Sequence, residues 1–291
     1  MPRRFIPEYP SASHPNDYQE VTMRIAFYQS SPVYGEIEYN LFTALNALGA
    51  SRADLYVLPE LFTTGYLFGS RKELSALAEP VPNGPTTRSL VEFCRAEDCA
   101  IVAGLAEVSG RGSAKKYFNS AVFVGPRGIV ANYRKTHLFN LEKRWFDAGD
   151  SGFSVSTFRG ARIGVMICFD WIYPESTRIL AVKGADIVCH PSNLVLPFCQ
   201  AAMITRSLEN RVFTVTANRV GREKRGKIEV PFSGMSQIVD PFGKVLRKAP
   251  RTGEKLAVVD VDPTRARDKK FTPGNDLLKD RRPRHYRDLA K

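Results

Sequence analysis

The chain has 291 residues, 43% of them hydrophobic and 25% charged, a globular balance that excludes a collagen-like, coiled-coil or wholly disordered chain. No apolar run approaches the roughly 18 residues that span a bilayer, and no secretory signal is recognisable, so we expect a cytoplasmic protein with no membrane contact. The net charge of +12 raises nucleic-acid binding as an alternative, but no basic and aromatic signature accompanies it, so no nucleic-acid partner is expected.

The predicted elements begin after a proline-rich N-terminal tail. Residues 1–22 contain four prolines and little periodicity, whereas Met23 opens a clear strand, MRIAFYQS. Apolar, β-rich runs then alternate with helical patterns, which indicates an α/β fold. The predicted strands are 23–29, 54–58, 100–106, 119–124, 129–134, 162–167, 186–190, 212–217, 236–240 and 255–261. The predicted helices are about 35–49, 84–98, 174–184 and 199–210.

Two tight turns predict that the strands do not all run parallel. Gly125-Pro126-Arg127-Gly128 and Asp240-Pro241-Phe242-Gly243 each lie between two strand-like runs, as in β-hairpins. About ten strands are too many for one twisted layer, so we expect two packed mixed sheets with helices outside, a four-layer αββα sandwich. This domain spans residues 23–270, and residues 271–291 form a basic C-terminal arm.

Cys168 differs from the other four cysteines in its position. It follows the buried run Ile163–Ile167 and precedes a helix that opens at Pro174-Glu175, so it lies at the carboxyl end of a strand. Backbone amides there favour a thiolate and a developing oxyanion. The alternative is a buried structural thiol. No Cys-x-x-Cys or His-x-x-x-His pair is present, so neither a metal site nor a cofactor is expected, and an odd set of cysteines in a chain this long does not indicate disulfides.

Two other predicted strand ends carry charged groups that could assist a cysteine nucleophile. Glu60 follows the run DLYVLP, and Lys135 follows GIVANYR. The chain has only four histidines, which weakens a cysteine–histidine scheme. A desolvated Glu60 could take the thiol proton while Lys135 faces the atom that becomes anionic. A loop acid and a surface cation are the plain alternatives, and spacing alone does not bring the three residues together.

Three ordered segments of the chain resemble the signature segments of the nitrilase superfamily of carbon–nitrogen hydrolases: LPELFTTGY, YRKTHLF and GVMICFDWIYPE. The similarity extends over residues 23 to 280 through EKRWFDAGD, HPSN, RSLENRVFTVTANRVG and SQIVDPFGKVL, and is greatest to the archaeal-type nitrilase and amidase branch. The resemblance implies that Glu60 is the general base, that Lys135 stabilises the tetrahedral intermediate and that Cys168 is the nucleophile. It also implies the αββα fold and a homodimer or larger homo-oligomer, with the C-terminal arm at the subunit contact.

The resemblance also bears on Glu142 and on the substrate. Glu142 matches a second glutamate, structural or catalytic, although it could instead be a loop acid paired with a neighbouring basic residue. The implied reaction releases ammonia from a small amide. A nitrile and an N-carbamoyl compound are alternatives, the latter weakened because no arginine follows the nucleophile closely, and a non-catalytic member of the fold is a third. The expected substrate-binding residues are Phe169, Trp171, Tyr66 and Asn193, with Phe139 as a further pocket wall.

Overall fold

A computed structural model describes residues 22–290, so the tail expected over residues 1–22 lies outside the described residues except for its last position. The strands are β1 (Met23–Gln29), β2 (Leu55–Val57), β3 (Glu79–Pro80), β4 (Ala100–Ser109), β5 (Lys116–Gly125), β6 (Gly128–Arg134), β7 (Val155–Phe158), β8 (Ala161–Val165), β9 (Ile187–Ser192), β10 (Phe213–Asn218), β11 (Arg222–Arg225), β12 (Ile228–Pro231), β13 (Gln237–Val239), β14 (Val245–Lys248), β15 (Lys255–Val261), β16 (Lys270–Thr272) and β17 (Asn275–Asp276). The α-helices are α1 (Ile37–Gly49), α2 (Arg71–Leu77), α3 (Pro85–Glu97), α4 (Glu142–Trp145), α5 (Pro174–Val182) and α6 (Cys199–Asn210).

The strands form two large mixed sheets, as predicted. The first sheet has the order β15-β1-β2-β4-β5-β6, with β3 beside β4, and the second has the order β14-β13-β10-β9-β8-β7. Parallel pairs occupy the middle of each sheet, β1–β2–β4 in the first and β10–β9–β8 in the second. The two predicted hairpins are confirmed, because β5 pairs antiparallel with β6 and β13 pairs antiparallel with β14.

The side chains of β1 show how the first sheet divides the core. Ile25 and Phe27 belong to the cluster that joins the two sheets, whereas Ala26 and Tyr28 belong to a cluster shared with α1 and α3. This alternation is the period-2 pattern of a strand buried on both faces. On the second sheet, side chains of α5 and α6 join the core cluster, among them Leu180 and Met203. The expected αββα sandwich is therefore confirmed.

Several short elements were not predicted, and the structure has seventeen strands over residues 22–290 rather than about ten. Helix α2 has seven residues and one buried side chain, Leu74, so it carries no helical period. Its start is fixed locally by Ser70, whose hydroxyl accepts the N–H of Glu73. The hairpin β11–β12 is largely charged, and its apolar alternation is limited to Ile228 and Val230 of the four-residue strand β12. Such segments are ordered by tertiary contacts, which sequence periodicity does not report.

The C-terminal segment, the described part of the arm expected over residues 271–291, lies beside the helices that cover the second sheet. A surface cavity of about 480 Å³ is lined both by α5 and α6 and by the segment, through Pro174, Glu175, Arg178, Glu209, Leu277, Arg281, Tyr286 and Leu289. Among residues 22–290, no helix is both long enough and apolar enough to cross a membrane.

Candidate active site

Glu60 lies in a turn just beyond β2, pressed against the neighbouring strand β4. The chain continues the pairing of the two strands beyond β2, because the N–H of Leu58 donates to the carbonyl of Val102 at 2.8 Å. A β-carbon on Gly104 of β4 would stand 2.5 Å from the Cα of Glu60, so only glycine permits this approach. The Glu60 side chain is fully buried. Local packing therefore fixes a carboxylate at the carboxyl end of a central strand.

Lys135 lies just beyond β6 and joins Glu60 and Glu142 in one buried cluster. Its backbone N–H donates to the carbonyl of Asn119 at 2.8 Å, which continues the pairing of β5 and β6 by one residue. Its Nζ donates to Oε1 of Glu60 at 2.6 Å and to both oxygens of Glu142 at 2.9 and 2.8 Å. Glu142 opens α4, and its salt bridge is with Lys135 rather than with an adjacent basic residue.

The two carboxylates keep the buried ammonium charged. Burial alone would lower the pKa of Lys135, but the charges of Glu142 and Glu60 raise that pKa well above its usual value. Burial raises the pKa of Glu142, and Lys135 opposes the rise. The carboxylate of Glu142 also accepts the hydroxyl of Tyr66 at 2.9 Å and the backbone N–H of Phe139 at 3.1 Å. Glu142 is therefore placed to hold the ammonium in position.

Glu60 has one occupied oxygen and one open oxygen. Oε1 accepts the Nζ of Lys135 and, at 2.7 Å, the Nδ2 of Asn119. Oε2 is buried without a hydrogen-bond partner in the described part of the chain. A buried carboxylate oxygen without a partner costs about 1 to 3 kcal/mol or more, so its persistence needs a reason. It is free to accept a proton from a group that enters the site.

Cys168 begins a short 3-10 helix, Cys168–Ile172, and has a left-handed backbone conformation with φ of 41°. The turn is held by the buried carboxylate of Asp170, which accepts the N–H of Ile167 at 2.8 Å and the hydroxyl of Tyr133 at 2.7 Å. Positive φ in a residue other than glycine stores strain that the surroundings must impose. The sequence placed Cys168 correctly between a strand and a helix, but the 3-10 turn was not predicted.

The surroundings of Cys168 favour its neutral thiol. Burial raises the pKa of Cys168 well above its usual value, and the charge of Glu60 adds to the rise. The charge of Lys135 and the backbone N–H of Asn193 act in the opposite direction. Attack by this sulfur therefore requires a base that takes the proton as the new bond forms.

The two central histidines are engaged elsewhere. His190 is fully buried, its Nε2 lies 2.9 Å from the carbonyl oxygen of Cys168, and its Nδ1 lies 3.1 Å from Oγ1 of Thr216. Burial lowers the pKa of His190 to about 4, so the ring is neutral. The Nδ1 of His137 lies 2.7 Å from Asp170. These contacts position the backbone around Cys168, and the carboxylates whose charges raise the pKa of its thiol are those of Glu60 and Glu142.

The expected substrate-binding residues line two adjoining cavities. Phe169, Trp171 and Asn193 line the small cavity that contains Cys168. Tyr66 lines a larger neighbouring cavity that also reaches Glu142. The structure thus brings together the four charged or thiol residues and the four expected wall residues: Glu60, Lys135, Glu142, Cys168, Phe169, Trp171, Tyr66 and Asn193. In residues 22–290, no group of three or more histidine, cysteine or acidic side chains is arranged to hold a metal ion.

Three supporting residues were missed in the sequence. Asn119 is a polar residue inside the apolar run YFNSAVFV, and Asp170 follows the nucleophile by two positions, so a buried polar residue was the available signal for each. Glu223 gave no such signal. Its carboxylate accepts the backbone N–H of Tyr66 at 3.0 Å and the guanidinium of Arg219 at 2.7 Å, contacts that link distant segments.

Comparison with known proteins agrees with this geometry. The profile of the carbon-nitrogen hydrolase family matches residues 24–271. A nitrilase from Pyrococcus abyssi (strain GE5 / Orsay) is 44% identical over 267 residues, 91% of this chain and 99% of the relative. An (R)-stereoselective amidase from a Pseudomonas species is 38% identical over 267 residues, 89% of this chain and 92% of the relative.

A solved structure has the same fold. The crystal structure of a carbon-nitrogen hydrolase from Helicobacter pylori G27 superposes with a TM-score of 0.79 at 26% identity, over 93% of this chain and 99% of that one. The family match covers most of the chain, and the curated relatives are similar along nearly their whole length. The chain therefore belongs to the carbon-nitrogen hydrolase family, within the nitrilase superfamily, and is a hydrolase of carbon–nitrogen bonds other than peptide bonds.

Proposed function

We propose that the protein hydrolyses a small amide to a carboxylic acid and ammonia through a thioester on Cys168. Glu60 is the general base and acid, Lys135 stabilises the tetrahedral intermediate, and Glu142 positions Lys135. The observation that carries the proposal is the open, buried Oε2 of Glu60, a carboxylate that pairs with the ammonium of Lys135 and whose charge raises the pKa of the Cys168 thiol. A proton acceptor of this kind is what the thiol needs.

Acylation begins when the sulfur of Cys168 attacks the amide carbon. The thiol proton passes to Oε2 of Glu60 as the carbon–sulfur bond forms, and the carbonyl oxygen becomes an oxyanion. Lys135 and the backbone N–H of Phe169 face this charge in the proposed pose. Glu60 then donates the proton to the amide nitrogen, the carbon–nitrogen bond breaks, and ammonia leaves a thioester behind.

Deacylation uses the same groups in the same order. Glu60 takes a proton from a water molecule while the water oxygen attacks the thioester carbon. The second tetrahedral intermediate collapses to the carboxylic acid, and the proton on Glu60 returns to the sulfur of Cys168. The ammonium of Lys135 stays charged throughout, because the pKa of Lys135 lies well above its usual value. No redox step and no cofactor are needed for this cycle.

An amide is the first candidate substrate, and a nitrile and an N-carbamoyl compound are the alternatives. A nitrile would react through a thioimidate with the same residues, and one relative is named a nitrilase. An N-carbamoyl amino acid carries a carboxylate, but the segment Phe169–Glu175 after the nucleophile contains no arginine to bind it. A relative named an amidase supports the amide as substrate.

The test is ammonia release from a panel of amides, nitriles and N-carbamoyl compounds by the wild type and by Cys168→Ala. We expect the substitution to lower kcat by at least about 10³-fold, since nucleophile removal abolishes the covalent route. Cys94→Ala is the matched control, because Cys94 is an equally buried thiol on α3. Wild-type turnover by Cys168→Ala, or no hydrolysis of any compound by folded wild type, would contradict the proposal.

We also propose that the protein forms a homodimer through α5 and α6, with the C-terminal segment at the contact. Apolar side chains on these helices are exposed, among them Val182 at 45% and Leu208 at 38%, and covering them is favourable. Sedimentation of the wild type should give a dimer, and Val182→Glu should give a monomer. Val130→Glu, at an exposed site on β6, should stay dimeric. A monomeric wild type contradicts this part of the proposal.

A further inference from the structure

The cavity that contains Cys168 is too small for a substrate. Its volume is about 10 Å³, and it is lined by Phe139, Cys168, Phe169, Trp171, Asn193, Leu194, Val195 and Leu196. Such a volume holds at most about one water molecule. The reacting carbon and its oxygen and nitrogen can occupy it after small side-chain adjustments, but the rest of an acyl group needs another space.

The larger neighbouring cavity provides that space. Its volume is about 330 Å³, it shares Phe139 and Val195 with the nucleophile cavity, and it reaches Glu142 and Tyr66 of the charged cluster. An acyl chain that extends from the reacting carbon toward Phe139 and Val195 therefore enters the larger cavity directly. Volumes of this size suit small ligands.

The lining of the larger cavity is mostly apolar, and five of its eleven apolar members are aromatic. Its apolar members are Tyr66, Leu67, Phe68, Phe139, Leu141, Trp145, Phe146, Val195, Ile228, Val230 and Pro231, and its polar members are Asn140, Glu142 and Glu229. In the part of the chain that the structure describes, no lysine or arginine lines it. A carboxylate on the acyl group would be desolvated there without a positive partner, and two acids would repel it.

The two acids in the lining are already paired. Glu142 binds Lys135, Tyr66 and the backbone of Phe139. Glu229 lies at the mouth and accepts Arg222 at 3.0 Å. Both oxygens of Glu142 are occupied by Lys135, and Glu229 is exposed to water and paired with Arg222, so a buried ammonium on the substrate would lack a partner inside the cavity.

One wall of this cavity is β12 of the hairpin β11–β12, and the buried Glu223 of β11 fastens the hairpin to the lining residues Tyr66 and Leu67. Glu223 accepts the backbone N–H groups of Tyr66 and Leu67 and the guanidinium of Arg219, whose carbon lies 4.0 Å from the Phe232 ring centroid. Arg219 and Glu223 are 1% and 5% exposed. The hairpin is thus tied to the wall that carries Tyr66, and its inner residues become part of a fixed site.

We propose that the larger cavity binds the acyl group of the substrate and selects an uncharged, apolar one, with the β12 residue Val230 as a specificity determinant in the wall. This inference rests on the proposed amide hydrolysis and narrows its substrate class. Amides with branched aliphatic or aromatic acyl groups fit the lining, whereas amides that end in a carboxylate or an ammonium do not.

Three amides of similar length test the inference with the wild-type protein. They are 5-methylhexanamide, the monoamide of glutaric acid, and 5-aminopentanamide, which are neutral, anionic and cationic. We expect kcat/KM for the neutral amide to exceed that for each charged amide by more than about tenfold, since an unpaired charge in an apolar site costs at least the corresponding ~1.4 kcal/mol. A smaller ratio for either charged amide overturns the inference and leaves the amidase function standing.

A charge placed in the wall gives a second test. Val230→Lys should raise the ratio of kcat/KM for the anionic amide over the neutral amide at least about tenfold relative to wild type, because the new cation pairs with the carboxylate. Val130→Lys adds the same charge on exposed β6 and should leave the ratio unchanged. Equal ratios in the two variants overturn the inference. If the folded wild type releases no ammonia from any of the amides, the proposed function itself fails and the inference falls with it.

Discussion

Two buried glutamates of the first sheet have partners from adjacent positions in the chain. Glu60 accepts hydrogen bonds from Asn119 and Lys135. Glu107 accepts them from Ser120 and Arg134, the residues directly next to those two in the chain. Successive side chains of a strand point to opposite faces, so the same two strands supply a polar pair to each acid. The two sites are thus built alike from one stretch of sheet.

The difference lies in how completely each carboxylate is satisfied. Glu107 accepts Ser120 at 2.6 Å, Asn132 at 2.9 Å and the guanidinium of Arg134, so both of its oxygens are occupied. Oε2 of Glu60 is open among the described residues. A saturated buried acid stabilises the fold, whereas an open one costs stability and can exchange a proton. The comparison separates a fully hydrogen-bonded glutamate from one with an open oxygen, which is the one we propose as the general base.

Glu60→Gln should give the largest effect on activity. The amide of glutamine cannot take the thiol proton, so we expect kcat/KM to fall at least about 10³-fold. The free energy of unfolding should stay within about 1 kcal/mol of wild type, because Lys135 keeps its salt bridge with Glu142. Ammonia release and urea denaturation measure the two quantities. Retained activity would show that Glu60 is not the base.

Glu107→Gln is the matched substitution at the structural site. It removes one of the two carboxylates that pair with Arg134, a side chain only 20% exposed that keeps its salt bridge with Asp150, so we expect the free energy of unfolding to fall by about 2 kcal/mol. The kcat/KM of the folded fraction should stay within about threefold of wild type. Loss of activity without loss of stability would remove the distinction between the two glutamates.

His190 extends the comparison to pH. The pKa of His190 in the folded state is about 4, below the value of 6.5 expected when the chain unfolds. As the pH falls from about 6.5 to 4, His190 therefore binds a proton in the unfolded chain but not in the folded chain. The stability from neutral His190 is complete above pH 6.5 and falls by about 3 kcal/mol toward pH 4. Urea denaturation across this range should show a shallower decline for His190→Asn, and an unchanged decline would contradict the assignment.

Tyr66→Phe should give the smallest effect. It removes one hydroxyl that donates to Glu142 at 2.9 Å and keeps the aromatic ring in the cavity wall. A lost hydrogen bond to a charged group suggests a fall in kcat of about tenfold. Tyr117→Phe removes a hydroxyl that donates to Ser75 and should change kcat by about twofold at most. Equal effects of the two substitutions would remove Tyr66 from the positioning of Glu142.

The long elements could be predicted from the sequence because their patterns are local. Strands β1 and β15 and helix α6 begin and end at the predicted residues, since an apolar run marks each strand and a helical period marks the helix. The hairpin β11–β12 could not be predicted. Its residues are mostly charged, and its order depends on contacts of Glu223 with Tyr66, 157 residues away.

The site divides in the same way. Strand ends pointed to Glu60, Lys135 and Cys168 as separate candidates, and the resemblance to the nitrilase superfamily joined them. The role of Asn119 could not be predicted, because a hydrogen bond to a residue 59 positions away leaves no periodic signal. The open oxygen of Glu60 is likewise a property of the assembled site and not of any segment.

The most direct test of the central claim is the mass of the peptide that contains Cys168 after acid quenching of the enzyme in turnover with an amide. We expect this peptide to gain the mass of the acyl group, which replaces the thiol hydrogen, after the amide nitrogen has left as ammonia. The same peptide of Cys168→Ala should show no gain. Two results together would contradict the thioester route. The Cys168 peptide would stay unmodified at every quench time during steady hydrolysis, and Cys168→Ala would hydrolyse the amide at the wild-type rate.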